Sequence, residues 1–365
     1  MQVLVVSSSY PSTAEDWRGR FIADMVAALP SENVSVRLWA PPGPVSADVT
    51  VATTEADREW LDKLAEAGGI ASRLRAGPVA AVSSSLGLLL RLRQAYRRER
   101  ADVLHVNWLQ NALPLWGTPH PAVVGVLGAD FGLLRLPGMA ALLRTVLARR
   151  RVILAPNAPW MAPHLTSLFG DVATIKPLPF GVASDWYLIE RRPAVNRAPW
   201  LAVTRITRAK LGELVQWGAG LFDQNRPLVL LGPMQENLSL PSWIDYRGPT
   251  YPKALRCEWF PQAAGLVTLS RHDEGRPQVM IEAMAAGLPI IATALPAHRD
   301  LVLDGGNGWL TESREALSEA LDDLTNPQRN RAAGKESRDK ALREIGDWKT
   351  AAERFRAAYR EVCTS

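Results

Sequence analysis

The 365-residue sequence has little cysteine, little net charge and no long uninterrupted apolar run. Its two cysteines, Cys257 and Cys363, have neither the spacing of metal ligands nor the density of a disulfide framework, and they suit a reducing compartment. The longest apolar region, residues 121–143, is interrupted by Asp130 and Arg135 and punctuated by glycine and proline. No transmembrane helix is therefore predicted, and a cytoplasmic location is favoured.

The charge balance and the first residues argue against two further classes of protein. Lysine and arginine number 42 against 37 aspartates and glutamates, an excess of five positive charges that is too small to indicate a nucleic-acid partner. Residues 1–7 have no basic segment ahead of their apolar run, unlike a secretory signal. They are predicted to form the first strand.

What the sequence does contain is a repeated alternation of short apolar runs and helical stretches. This alternation predicts parallel strands with crossover helices, and a chain of this length is expected to form two domains. The first series of runs lies at residues 3–7, 34–39, 103–106, 122–127, 152–155 and 173–177. The second series lies at residues 200–203, 228–231, 244–247, 265–269 and 289–293. We therefore predict an α/β protein with two Rossmann-like domains.

The domain boundary is expected near residue 185, ahead of a polar, proline-containing stretch at residues 190–197 that is typical of a linker. This gives domains of residues 1–185 and 186–346. In the last segment, residues 347–365, apolar side chains recur at three- and four-residue steps, namely Trp348, Ala352, Phe355, Tyr359 and Val362. Such a stripe predicts a helix that docks on another surface, and we expect it to complete the first domain.

The most informative segment is residues 271–293. It follows an apolar run, turns at Gly275, begins a helix with Pro277 as the first helical residue, and leads into another strand. The loop and the helix start would present backbone N–H groups at the carboxyl edge of the sheet, where a diphosphate can bind. Glu282 lies just over one turn inside the helix, where its carboxylate could accept from two ribose hydroxyls. Glu274 precedes the helix, near the expected place of a transferred sugar.

This segment resembles the donor-binding motif of the retaining glycosyltransferases of GT-B fold called glycosyl transferases group 1. In that family two glutamates are separated by seven residues, as are Glu274 and Glu282. The resemblance implies two facing Rossmann-like domains with a cleft between them, a sugar contact by Glu274 and a ribose contact by Glu282. The donor-binding residues that it implies around the helix start are Gly275, Arg276, Pro277, Gln278 and Val279. The alternative is that both glutamates are solvated acids flanking a helix.

The family's second donor element is an arginine followed five positions later by a lysine, just after the first strand of the second domain. Arg205 and Lys210 stand in that place, and Thr204 replaces the family's usual glycine. The resemblance implies that these two cations neutralise the leaving diphosphate without a metal. No cofactor is then expected, and the donor is expected to be a UDP- or GDP-sugar. The alternative is a pair of surface charges at the start of a helix.

Further residues resemble family positions more loosely. Arg247 lies in the segment that brackets the base in the family, and Gly19 corresponds to a glycine that approaches the diphosphate across the cleft. Residues 125–130 correspond to a stretch that commonly reads His-Gly-x-Asp. Leu127 occupies the place of the histidine, which leaves Asp130 as the predicted catalytic residue there. For Gly19 the alternative is an ordinary loop glycine.

Two basic amphipathic stretches, residues 86–100 and 139–151, lie in the first half. Such helices can bind an anionic membrane surface, which would fit a peripheral position at the inner membrane face and a lipid-linked acceptor. The alternative is crossover helices with solvated outer faces. His105, within an apolar strand pattern, is predicted to be structural.

Together these patterns predict a retaining glycosyltransferase that moves sugar from a nucleoside diphosphate sugar to an acceptor hydroxyl, in polysaccharide, glycolipid or natural-product glycoside synthesis. Two alternatives stay open at this point. A GT-B-fold epimerase would convert or hydrolyse the donor without an acceptor. A sugar-nucleotide-binding subunit would bind nucleotide tightly but, having lost turnover with Leu127 in place of the histidine, would transfer nothing.

Overall fold

The computed structural model describes residues 1–13, 15–67, 78–128, 130–193 and 197–364. The middle of the predicted linker, residues 194–196, lies outside the described residues, as does Ala129 in the stretch that carries Leu127 and Asp130. The chain divides into two compact units. The first consists of Met1–Gly181 together with Trp348–Ser365, and the second of Val182–Asp347.

The first unit contains a seven-stranded parallel sheet in the order β3-β2-β1-β4-β5-β6-β7. Its strands are β1 (Gln2–Val6), β2 (Ser35–Trp39), β3 (Val49–Val51), β4 (Val103–Asn107), β5 (Ala122–Val126), β6 (Val152–Pro156) and β7 (Thr174–Ile175). Its first helices are α1 (Arg20–Ala28), α2 (Glu55–Glu66), α3 (Pro78–Arg98), α4 (Phe131–Leu134), α5 (Met139–Leu147) and α6 (Ala162–Phe169), with 3₁₀ turns at Leu109–Leu115 and Pro159–Met161. Strand β3 was not predicted.

The second unit contains a six-stranded parallel sheet in the order β10-β9-β8-β11-β12-β13. Its strands are β8 (Trp200–Val203), β9 (Leu228–Leu231), β10 (Ile244–Gly248), β11 (Gly265–Thr268), β12 (Ile290–Thr293) and β13 (Gly308–Thr311). Its α-helices are α7 (Arg208–Leu211), α8 (Leu214–Gly218), α9 (Pro252–Ala254), α10 (Gln278–Ala285), α11 (Pro296–Arg299), α12 (Arg314–Asp323) and α13 (Pro327–Glu344). Shorter turns of 3₁₀ or π type lie at Ser184–Leu188, Leu255–Trp259 and Phe260–Gln262. Strand β13 was not predicted.

The central strands of both sheets are buried on both faces. Successive side chains of a strand point to opposite sides, so each strand contributes to two apolar clusters. In β1, Leu4 and Val6 belong to the apolar cluster on one face, and Val3 and Val5 to the cluster on the other. The strands of the second unit divide between two clusters in the same way. Continuous apolar runs with helices between them are the pattern that predicted this α/β architecture.

The last helix, α14 (Trp348–Thr364), packs on the Val3 and Val5 side of the first sheet. Phe355 is stacked on His105 with ring centroids 4.9 Å apart, and the Tyr359 hydroxyl lies 2.5 Å from Nδ1 of His105. Burial lowers the pKa of His105 to about 3, so the ring is neutral. His105 is therefore a core residue, as predicted. Among the described helices, none combines the length and the apolar character needed to cross a bilayer.

Helix α10 begins one residue later than the sequence indicated. Pro277 has ψ of 114°, outside the helical region, so it is the N-cap and Gln278 is the first helical residue. At the other end Gly287 has φ of 78°, and the Leu288 N–H donates to the carbonyl of Ala283. A glycine just past the helix end is required here, because this left-handed conformation strains other residues.

Two arginines bind the carbonyls at the C-terminal end of α10. Arg191 donates to the carbonyls of Gly287, Ala263 and Ala264 and to the Asn330 side chain. Arg338 donates to the carbonyls of Ala285 and Ala286. These cations satisfy carbonyls that a helix end leaves unpaired and interact favourably with its dipole. Burial, with the nearby charge of Arg338, lowers the pKa of Arg191 to about 10.

We expect Arg191→Ala to lower the free energy of unfolding by about 3 kcal/mol, because it removes charge-assisted hydrogen bonds and leaves several carbonyls without a donor. Arg192→Ala is the matched control, since that side chain is 79% exposed and forms an ion pair with the exposed Glu190. The control should change stability by less than about 0.5 kcal/mol. Urea denaturation measures both, and equal effects would show that Arg191 does not anchor α10.

Candidate functional site

The predicted donor residues gather where the strand order of the second sheet reverses. Strands β8 and β11 are neighbours in the centre of the sheet, with Leu201 paired to Leu266. From β8 the chain continues to β9 on one side, and from β11 to β12 on the other. In open parallel sheets, the carboxyl ends of two such strands frame a crevice in which ligands bind.

The segment after β8 carries Arg205 and Lys210. The Thr204 N–H donates to the carbonyl of Leu231, and the Thr207 hydroxyl accepts from the Lys210 N–H at the start of α7. A Cβ at Gly232 would lie 1.8 Å from the Thr204 carbonyl oxygen, and its φ of 139° suits glycine. The end of β9 therefore approaches this segment closely, and this contact constrains the backbone path of the segment.

The segment after β11 is hydrogen-bonded to the segment after β8. The Arg271 N–H donates to the Ala209 carbonyl over 2.8 Å, and the Glu213 N–H donates to the Leu269 carbonyl over 2.9 Å. The Ser270 hydroxyl also lies within 3.4 Å of the Ala209 carbonyl. Two loops that are about sixty residues apart in sequence are thus joined at their backbones.

Lys210 and Glu274 form an ion pair at this junction. Their side chains are only 12% and 17% exposed, so water screens the pair weakly. Burial lowers the pKa of Lys210, the Glu274 carboxylate opposes that shift, and the positive charge of Arg205 adds to it. The structure therefore brings together three of the four residues that the sequence predicted as catalytic.

His272 lies in the same loop and responds to the same charges. Burial lowers its pKa, the cations Lys210 and Arg205 lower it further, and Glu274 and Asp273 oppose the shift. Its ring is therefore mostly neutral at neutral pH.

Helix α10 continues from this loop. Gly275 is buried, Pro277 is the N-cap, and Gln278 opens the helix. Val279 packs partly buried against the core. Glu282 is half-buried on the fifth helical residue, so its carboxylate lies within the same helix-and-loop unit as Glu274.

Two predicted donor residues, Arg276 and Arg247, form ion pairs with residues other than Lys210 and Glu274. The Arg276 side chain is only 4% exposed, and its Nη2 lies 3.7 Å from Asp300 Oδ2. Its guanidinium is thus almost fully buried. Arg247 lies on β10, two strands from β8, where it is exposed and pairs with Asp245. Within the part of the chain that the structure describes, no hydrogen bond or ion pair connects Arg247 with Lys210 or Glu274.

In the first unit, Gly19 lies at the N-cap of α1 with φ of 66°. A Cβ there would lie 2.9 Å from the backbone of Ser9 and Tyr10, in the segment that follows β1. Both the conformation and the close approach require glycine at this position. Strand β1 neighbours β4 in the centre of its sheet, and the strand order reverses between these two strands. Gly19 therefore follows a strand at this reversal point.

Asp130 is buried, and its carboxylate accepts from backbone N–H groups of two loops. Leu109, after β4, donates to Oδ2, and Leu127 and Gly128, after β5, donate to Oδ1. Burial raises the pKa of Asp130 to about 6, against the lowering effect of these bonds. The observed contacts are those of a residue that positions loops, and its predicted catalytic role stays a prediction.

Three further residues near this site were not predicted from the sequence, namely Ser270, Thr293 and His298. Each lies at or just after the carboxyl end of a strand in this sheet. That position, together with the scarcity of histidine in the chain, is the signal that could have identified them. Within the described residues, no three histidine, cysteine, aspartate or glutamate side chains gather as a metal site requires.

Part of this site matches a known sequence family. Residues 258–340, which include Glu274 and Glu282, match the family model described as Glycosyl transferases group 1. An uncharacterized glycosyltransferase of Haemophilus influenzae is 34% identical over 110 residues, which are 28% of this chain. The matched region spans 31% of that relative's length.

Solved structures with similar folds cover the whole chain. The sucrose-phosphate synthase of Thermosynechococcus elongatus aligns with a TM-score of 0.72 at 17% identity, over 99% of both chains. The trehalose-6-phosphate structure from E. coli with bound UDP-2-fluoro glucose aligns with a TM-score of 0.72 at 13% identity, over 99% of both chains. Anabaena Alr3699/HepE in complex with UDP-glucose aligns with a TM-score of 0.64 at 15% identity, over 99% of this chain and 100% of that one. The fold is the GT-B fold, as the sequence predicted.

Proposed function

We propose that this chain, whose residues 258–340 match the Glycosyl transferases group 1 model, transfers a glycosyl unit from a nucleoside diphosphate sugar to an acceptor hydroxyl with retention of configuration. The observation that carries the proposal is the buried contact of Lys210 with Glu274 at the carboxyl ends of β8 and β11, within a loop that the family model matches. A diphosphate needs cations, and a sugar needs hydroxyl acceptors. This junction supplies both.

The donor would bind in three parts. Lys210 and Arg205 would hold the diphosphate and neutralise the charge that develops on it as the glycosidic bond breaks. Glu274, relieved of Lys210 by the incoming anion, would accept from sugar hydroxyls, and Glu282 would accept from the ribose. UDP- and GDP-sugars are our candidate donors. The UDP-sugar complexes of Alr3699/HepE and of the E. coli structure support the first of these.

Turnover is expected to depend on Arg205 and Lys210 more than donor affinity does. Arg205→Ala and Lys210→Ala should each lower kcat by roughly a hundredfold or more, because each removes a charge that stabilises the leaving diphosphate. Arg208→Ala, an exposed neighbour on α7, is the control and should keep near-normal turnover. The assay is run in EDTA, since the proposal needs no divalent ion. Normal kcat in both site variants would refute this role.

Glu282→Ala should weaken nucleotide binding, because a charged acceptor for ribose hydroxyls contributes about 1.5 to 3 kcal/mol per bond. A thermal-shift screen of UDP, GDP, ADP and TDP first identifies the nucleotide that stabilises the wild-type protein. Calorimetry then compares Glu282→Ala with Glu319→Ala, a variant of an exposed glutamate on α12. Equal affinities would remove Glu282 from the ribose site, and the absence of any stabilising nucleotide would count against the whole proposal.

The acceptor side is proposed to lie in the first unit and to meet an anionic membrane. Val82, Leu86 and Leu90 recur every fourth residue on α3 and are each more than half exposed. Arg93 and Arg97 continue on exposed positions of the same helix. A row of apolar groups that leads into cations is what an anionic bilayer binds, and it would suit a lipid-linked acceptor.

We expect the protein to sediment with anionic vesicles at low salt and to be released as salt rises. Replacing Arg93 and Arg97 with serine should weaken binding by about 1 kcal/mol per residue, or roughly thirtyfold together. A control that replaces exposed Arg331 and Lys335 with serine removes the same charge from the second unit. Equal recovery of wild-type protein in the supernatant with and without vesicles would instead favour a soluble acceptor.

A further inference from the structure

His298 is a fully buried histidine at the carboxyl edge of the sheet that carries the candidate site. It lies on α11, directly after β12, and its Nδ1 lies 2.8 Å from the carbonyl oxygen of Thr293. A carbonyl oxygen can only accept, so Nδ1 carries the proton. Nε2 then has a free lone pair, and it is buried with no hydrogen-bond partner in the described part of the chain.

A buried imidazole at this position destabilises the fold through its unpaired Nε2, unless the hydrogen bond from Nδ1–H has a role that compensates. A buried acceptor without a donor destabilises the folded state, and an apolar side chain of similar size would avoid that loss. Burial lowers the pKa of His298, so the ring is mostly neutral at neutral pH. The charge of Glu274 opposes this lowering of the pKa, and the charge of Lys210 adds to it.

A chain of hydrogen bonds leads from His298 to both segments of the site. Thr293 accepts from His298 through its carbonyl, and its hydroxyl donates to the Ser270 carbonyl over 2.7 Å. The Ser270 hydroxyl accepts from the His272 N–H over 3.0 Å and lies within reach of the Ala209 carbonyl. Ala209 immediately precedes Lys210, and His272 lies two residues before Glu274.

We propose that His298 is a positioning residue: through Nδ1–H it fixes Thr293, which acts with Ser270 to hold the segments bearing Lys210 and Glu274 in contact. Its importance for glycosyl transfer rests on the proposed function. Its effect on the Lys210 environment does not, and it can be measured without any ligand.

Asparagine and glutamine separate the two ring nitrogens. The amide nitrogen of asparagine occupies nearly the place of Nδ1, whereas that of glutamine reaches the place of Nε2. His298→Asn should therefore keep the bond to Thr293, and His298→Gln should lose it. A second pair, Thr293→Ser and Thr293→Val, keeps and removes the hydroxyl bond to Ser270 with little change in volume.

The first readout is the rate at which acetic anhydride labels Lys210 in the empty protein, followed by peptide mass spectrometry. Loosening of the segments should raise the rate at least about threefold in His298→Gln and Thr293→Val, because local opening exposes the buried amine. His298→Asn and Thr293→Ser should stay near the wild-type rate. Exposed Lys335 serves as the internal reference.

Unchanged Lys210 labelling in both loosening variants would overturn the proposal, even if their melting temperatures fell. Faster labelling in His298→Asn with a normal rate in His298→Gln would also overturn it, because Nε2 would then be the nitrogen in use. If His298→Gln does not fold, the threonine pair decides the question by the same criterion.

The second measurement tests whether His298 affects glycosyl transfer. With the nucleotide sugar that the wild type uses, His298→Gln should lower kcat roughly tenfold to a hundredfold with a smaller change in KM, because the cation is misplaced. In a Lys210→Ala background the same substitution should have little further effect. Additive losses would overturn the route through Lys210, and a wild type that binds no nucleotide would defeat the proposed function while the labelling result still stood.

Discussion

The candidate site depends on how closely the segments after β8 and β11 approach each other. Two glycines permit this approach. Gly212 has φ of 52°, and a Cβ there would lie 1.9 Å from the Leu269 carbonyl oxygen. At the other end of the strands, a Cβ at Gly265 would lie 2.5 Å from the ring of Trp200. With both backbones in place, the hydrogen bonds of Ala209 determine where Lys210 lies, and the ion pair with Glu274 follows.

Most strands of both sheets and the strand-turn-helix unit of the site could be predicted from the sequence, because these features are local. Apolar runs and the glycine after α10 each depend on a few neighbouring residues. The missed strands are edge strands. Val49–Val51 has three residues, two of them exposed, so it lacks the continuous apolar run that marks the central strands. Pro277 was misplaced by one residue because proline is common at the first helical position, whereas here its extended ψ makes it the N-cap.

Side-chain direction was less predictable than position along the chain. The motif placed Arg276 at the helix start correctly, but only the packing of α11 shows that its guanidinium is buried near Asp300. Asp130 likewise follows β5, yet it also accepts a hydrogen bond from Leu109 in the loop after β4. The hydrogen bonds from His298 to Thr293 and from Thr293 to Ser270 join loops that come together only in the folded sheet. No local sequence pattern encodes such contacts.

The pairing of Lys210 with Glu274 has a consequence for competition among ligands in a cell. An inorganic anion that takes the ammonium leaves a mostly buried carboxylate without its counterion, and that loss offsets much of the attraction. A ligand that carries an anion and hydroxyl groups together can replace both partners at once. Under the proposed function, the ion pair therefore disfavours binding of abundant phosphate, while an intact sugar nucleotide offers new partners to both side chains.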